Sequence, residues 1–458
     1  MKGNREECDL LGRKEIPVDS YSGIHTKRAQ ENFCISKKPV NLDLIHSYSI
    51  VKKACCQANW ELGYIPKDKA EAIQRACDDI YKGDLDYEFR IDFLQGGAGT
   101  STNMNINEVI ANRALELMGK SKGDYAVIHP IETVNMHQST NDTYPTALKI
   151  SVIYRLRELS QSVASLQSAF QKKEKEFSKI LKNGRTEMQT ATPITLGAEF
   201  SSFSDAVGRD RWRVYKAEER IRTLNIGGTS VGTGTAAPKS YIFLVIEKLR
   251  ELTGLGISRG ENLIDHTANT DQFVEVSGII KSHAANLIKI SEDIRKLNFL
   301  QEIKVPAVQA GSSIMPGKVN PVLFEAAVQS GLRVIANDSL ITECSCRGTF
   351  QINEFLPLIA ESILESLTIL NRIDSTLSDH IQEIEAGKET CTESFNNNEM
   401  LFTLFIPELG YDKAEGLLKK YQEANSISVR DFLEQELGLD KTNKVLSPEN
   451  ILSLGYRQ

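Results

Sequence analysis

The sequence predicts an all-α protein organised around a bundle of long helices. Apolar residues recur at helical spacing from about residue 146, and again near 198–224, 239–253, 267–298, 321–345 and 354–386, with Gly-, Thr- and Pro-rich turns between. No stretch alternates apolar and polar residues over a strand's length, so no strand-rich region is expected. Helices of this size, some ~45 Å long at ~1.5 Å per residue, imply an elongated bundle rather than a compact globule. Such a bundle commonly buries its apolar seams against further subunits.

Length and composition bound the rest. At ~150 residues per domain, 458 residues suggest roughly three units or one long helical assembly. Basic residues number 54 against 61 acidic, for a net charge of −7, which argues against a nucleic-acid binder. The first sixteen residues, MKGNREECDLLGRKEI, lack an apolar signal core, and no run approaches the ~18 apolar residues of a membrane span, so a cytoplasmic location off the membrane is expected. The eight Cys are scattered without a CxxC pair, and the seven His form no cluster. Reduced thiols and no protein-built metal site are therefore expected; no cofactor is expected either.

Taken in order, residues 1 to about 40 are polar and read as an extended arm, with turn signals at Asp19–Gly23. Helical stretches follow near 42–62 and 68–82. A glycine-rich turn, Gln95-Gly96-Gly97-Ala98-Gly99-Thr100, then leads through Ser, Thr and Asn into a helix over Val109–Met118 that Gly119 is placed to cap. It lacks the strand context of a dinucleotide loop and the terminal Lys of a Walker loop. In the long helix beyond, Val152, Leu156, Leu159, Val163, Leu166 and Phe170 form a narrow seam, which Phe177 and Leu181 extend. The last sixty or so residues return to short helices, one opened by Ser447-Pro448-Glu449.

Four polar knots interrupt the helices: Gly99–Asn107, Gln138–Asp142, Gly184–Gln189 with Thr192-Pro193, and Gly311-Ser312-Ser313-Ile314-Met315-Pro316-Gly317-Lys318-Val319-Asn320-Pro321. All are rich in hydroxyls and amides, which suits recognition of carboxylates without burial of many charges. The last is built to hold an anion: glycines allow close backbone approach, and Pro321 at a helix start leaves free N–H groups facing the loop. Each knot alone also reads as a cap or turn; Ser139-Thr140-Asn141-Asp142 makes a good helix N-terminus with no function at all.

Together these motifs resemble the aspartase/fumarase superfamily. GSSIMPGKVNP is similar to the superfamily signature along its whole length, and the likeness runs from Leu11-Gly12 to the LGYDKA stretch at Leu409–Ala414. GGAGTSTNMNINEVIANRALELMG and NMHQSTNDTYPTA are similar to the aspartase branch, the aspartate ammonia-lyases, where fumarases more often carry GSGT and SSND. The resemblance implies an all-α three-domain protomer, here 1–141, 142–391 and 392–458. It also implies a twenty-helix core in a homotetramer, with composite active sites drawn from three subunits. It further implies reversible deamination of L-aspartate to fumarate and ammonia through an aci-carboxylate. Ser312 is then the general base, and Thr100, Ser139, Thr140 and Ser313 hold the β-carboxylate. Thr186, Lys318 and Asn320 hold the α-carboxylate, and Asn141 contacts the amino group.

The chain departs from the family pattern in three places. Glu187 stands where relatives have His or Gln; it is read as contacting the substrate ammonium, or passing the leaving amine a proton, and as facing Glu325 behind it. Arg295–Ile303 is several residues shorter than in relatives, and Asn396–Met400 replaces a Ser/Gly-rich step. Rival readings are a fumarate hydratase, a lyase for another C4 or substituted-aspartate substrate, and a catalytically idle helical scaffold.

Overall fold

The computed structural model describes residues 3–424 and 427–455. Residues 4–17 form an antiparallel hairpin, β1 (Asn4–Asp9) and β2 (Gly12–Pro17), followed by α1 (Ile24–Asn32). This corrects the extended arm. The hairpin carries no apolar alternation because two of its inward positions are charged: Arg5 Nε donates to Glu7 Oε1 at 2.8 Å. Two buried carboxylates then cap α1, with Ile24 N on Glu7 at 2.8 Å and Gly23 N, His25 N and Thr26 N on Glu108 at 2.9, 2.8 and 3.1 Å.

Helices α2 (Leu42–Glu61), α3 (Lys67–Tyr81) and α4 (Thr100–Leu117) follow. Helix α4 starts before Val109 because the Gln95 side chain caps it, accepting from Thr102 N and Oγ1 at 3.1 and 3.0 Å. Five long helices, α5 (Thr140–Glu176), α6 (Leu196–Ile221), α9 (Asp271–Phe299), α10 (Val322–Ser345) and α11 (Leu356–Gln382), match the expected segments; the shorter α7 (Lys239–Thr253) and α8 (Leu263–Ala268) lie between α6 and α9. The α5 seam is fully buried, from Val152 at 0% to Phe170 at 1% exposure, each such side chain contributing ~1.5–3 kcal/mol. The seam ends sooner than expected: α5 stops at Glu176, and Leu181 opens a second hairpin, β3 (Leu181–Thr186) with β4 (Gln189–Thr195).

Among the described residues strands occur only as four two-stranded sheets, and the fold is all-α. Two compact units divide the chain: Met1–Leu159 with Arg213–Ser282 and Arg333–Ile369, and Ser160–Trp212 with His283–Leu332 and Leu370–Gln458. In the second, Phe170, Phe177, Phe200 and Phe203 pack as tilted and edge-on rings 5.2–6.3 Å apart. Its C-terminal part, from α12 (Lys388–Asn396) onward, consists of short helices around Phe395, Phe402, Phe405, Phe432 and Leu433. The same unit buries a charge. His283 bonds Asp210 through Nδ1 at 3.1 Å and Asp374 through Nε2 at 2.9 Å, all three side chains fully enclosed.

Candidate active site

In the first unit, Gly97, Ala98 and Gly99 all adopt positive φ, so the chain turns sharply into α4 and leaves Thr100 exposed at its first position. A Cβ on Gly99 would sit 2.3 Å from the Tyr144 ring, which lies one turn into α5. That close approach ties the turn before Thr100 to the start of α5. Asn103 bridges the two helices, donating to Thr140 Oγ1 at 3.0 Å. The start of α5 is a capping box: Ser139 Oγ accepts from Asn141 N at 3.2 Å, and Asp142 Oδ1 accepts from Ser139 N at 3.0 Å.

Asp142 also accepts from Gly227 N at 3.2 Å and Thr229 N at 3.0 Å, and its pKa is raised to about 6 because burial opposes its charge. Pro145 cannot donate to the Asn141 carbonyl, and Asn225 Nδ2 fills that place at 2.9 Å. Asn141 Nδ2 in turn donates to Ser230 O at 2.6 Å, so its amide oxygen is the atom left to offer a cation. This end of the first unit is thus a turn of hydroxyls and one amide oxygen at two helix N-termini, where the backbone dipoles favour an anion.

In the second unit, Thr186 ends β3, and Glu187 and Met188 form the two-residue turn with φ of 52° and 62°. Paired left-handed residues suit a tight hairpin turn, and without Gly or Asn each costs of order 1–3 kcal/mol. Both side chains are exposed. A buried ion cluster holds the strand beneath: Glu302 binds Arg185 at 2.6 Å and Lys182 at 2.9 Å, and Lys182 also meets Glu199. Glu302 reaches this place because α9 ends directly in a turn at Gln301, whose φ is 58°. The short Arg295–Ile303 segment therefore sets a carboxylate under the hairpin.

The signature loop of the second unit closes on itself. Gly311 N donates to Lys318 O at 2.8 Å, and Asn320 Nδ2 donates to Gly311 O at 3.1 Å. Inside, Ser312 Oγ accepts from Ile314 N at 3.2 Å and Met315 N at 2.9 Å, the arrangement that stabilises negative charge on that oxygen. Ser313 and Lys318 are exposed, and Asn320-Pro321 leads into α10. Glu325, in the first turn of α10, has the Arg295 guanidinium 3.9 Å away. Among the described residues Thr186 and Glu187 share no hydrogen bond or ion pair with the loop or with Glu325 within one chain.

Lys52, Asn103, Asn135, Glu302 and Asn398 were given no role by the sequence reading; they bond to one another or to the elements that carry the residues named above. One signal was available: Lys52 falls on the apolar stripe of α2, between Tyr48 and Cys55, where a lysine is out of place.

Comparison with known proteins gives the family. A lyase family model matches residues 12–336. The aspartate ammonia-lyase of Pseudomonas aeruginosa is 41% identical, covering 99% of this chain and 98% of that protein. The solved fumarate lyase:delta crystallin from Brucella melitensis, bound to cobalt, superposes with a TM-score of 0.93 at 40% identity over 97% of this chain and 98% of that one. The class II fumarase from Schistosoma mansoni superposes with a TM-score of 0.92 at 29% identity over 99% and 100%. The chain belongs to the aspartase/fumarase superfamily of lyases, and within it to the carbon–nitrogen lyases of the aspartate ammonia-lyase type. Among the described residues no helix is long and apolar enough to cross a membrane.

Proposed function

We propose that this enzyme eliminates ammonia from L-aspartate, reversibly, to give fumarate. The observation that carries the substrate is the near full-length likeness to aspartate ammonia-lyases. Support for the chemistry comes from Ser312. A serine hydroxyl is a weak base at neutral pH, and two backbone N–H groups on its oxygen favour the alkoxide that takes the C3 proton. The electron pair released moves onto the β-carboxylate as an aci-carboxylate, held by Thr100, Ser139, Thr140 and Ser313. Collapse of that dianion forms the C2–C3 double bond and expels the amine. Thr186, Lys318 and Asn320 hold the α-carboxylate, and Asn141 offers its amide oxygen to the ammonium. Because the amine enters as an ammonium it leaves as neutral ammonia without an added proton, which favours Glu187 as an ammonium contact over a proton donor.

The same proposal includes a protomer of three domains (1–141, 142–391 and 392–458), a cytoplasmic location, and a homotetramer whose composite sites bring the loop of one subunit to the hydroxyl turns of another.

The test is product formation from purified protein given L-aspartate or L-malate separately, followed by the ultraviolet absorbance of fumarate. Fumarate from aspartate is expected. Fumarate from malate alone would establish a fumarate hydratase, and no product from either, or from substituted aspartates, would leave a scaffold. A Glu187→Gln enzyme with unchanged kcat and pH profile would remove Glu187 from the chemistry.

A further inference from the structure

Behind the hydroxyl turn of the first unit lies a buried chain of polar groups that begins at a lysine. Lys52 is 1% exposed, and its ammonium donates to Asn135 Oδ1 and to Gln138 Oε1, each at 2.9 Å. Asn135 Oδ1 also accepts from Asn103 Nδ2 at 3.2 Å and from Asn107 Nδ2 at 3.1 Å. Asn103 Nδ2 then donates to Thr140 Oγ1 at 3.0 Å.

The direction of every bond in this chain follows from its first member. An ammonium only donates, so Asn135 must turn its oxygen toward Lys52. That oxygen forces Asn103 to present its nitrogen, and the nitrogen can meet Thr140 Oγ1 only as a donor. Thr140 therefore spends a lone pair inward and keeps its proton to give away. The orientation is imposed rather than locally optimal, because Asn103 Oδ1 and Asn107 Oδ1 are left buried without partners among the described residues. Burial lowers the Lys52 pKa only to about 8, so the donor persists at neutral pH.

We infer that Lys52, acting through Asn135 and Asn103, is a positioning residue that fixes Thr140 as a hydrogen-bond donor toward the substrate carboxylate. This rests on the reading that Thr140 binds that carboxylate. The relay gives the site a donor whose proton is already aimed before substrate arrives, and preorganisation of this kind is where electrostatic catalysis gains most.

Steady-state kinetics of the full-length enzyme with L-aspartate, paired with thermal melts, test it. Thr140→Val is expected to lower kcat/KM by about 100-fold. Asn103→Asp keeps the shape but can only accept, so it draws the Thr140 proton inward and is expected to match that loss; in the Thr140→Val background it should cost nothing further. Asn103→Leu, which removes the bond without reversing it, should cost only about 5-fold. Lys52→Met should lower kcat/KM at least tenfold at a temperature where its melt shows the enzyme folded; Tm itself should fall, because Gln138 Oε1 loses its donor. Loss in Asn103→Asp no greater than in Asn103→Leu, additivity with Thr140→Val, or unchanged kcat/KM in Lys52→Met would each overturn the relay. An unaffected Thr140→Val enzyme would overturn the carboxylate reading and the relay with it.

Discussion

Asn398 donates its side-chain amide to Asn183 Oδ1 at 2.8 Å, joining residues 215 positions apart. It donates also to Ala191 O at 3.0 Å, while its own oxygen accepts from Met400 N at 2.8 Å. One buried carboxamide thus ties both strands of the Thr186–Glu187 hairpin to the C-terminal helices. Asn398→Ala is expected to destabilise the protein by about 2 kcal/mol, read by urea denaturation, and to raise KM for aspartate. Asn398→Asp should be worse despite its equal size, because a carboxylate would face two oxygens.

Ser312→Ala should lower kcat by about 10²–10⁴-fold, the usual worth of a positioned proton acceptor, with KM changed little. Its Tm should stay within a degree or two of the parent (roughly the effect of a neutral surface change), since Ser312 lies in a loop with a largely exposed surface. Steady-state kinetics and a melt on the same preparation separate the two.

Gly99 has no room for a side chain. Its φ is +91°, and a Cβ would meet the Tyr144 ring at 2.3 Å. Gly99→Ala therefore combines backbone strain with overpacking and should cost about 3 kcal/mol. Because the displaced turn carries Thr100, kcat/KM should fall as well.

His283 makes stability fall at high pH. Burial alone would lower its pKa, but Asp374 and Asp210 outweigh that and raise it to about 10. Since the folded value lies above the unfolded ~6.5, this contribution is complete below pH ~6.5 and is lost as pH rises toward about 10. The urea midpoint should decline across that window, and His283→Gln should flatten the decline while costing about 3 kcal/mol or more near neutrality, because two carboxylates lose their shared cation.

The helical class, the five long helices and the polar knots were legible in the sequence, because helix periodicity and turn chemistry are local and repeat within one segment. Ser312, Thr140 and Lys318 could be named from the motifs that contain them. The N-terminal hairpin was not legible, since Arg5 and Glu7 stand where apolar residues would have marked an inward face. Nor were the roles of Asn398 under the Thr186 hairpin, Glu302 beside Arg185, and Asn103 and Lys52 behind Thr140, even where their segments stood out. Their partners lie on other elements, and a buried amide or ammonium looks in sequence like any surface one. What the sequence by itself determined was the helical class and which hydroxyls, amides and cations stand in the family motifs. Only the tertiary structure decided which way those groups point, because the direction of a hydrogen bond depends on a partner that is distant in sequence and adjacent only after folding.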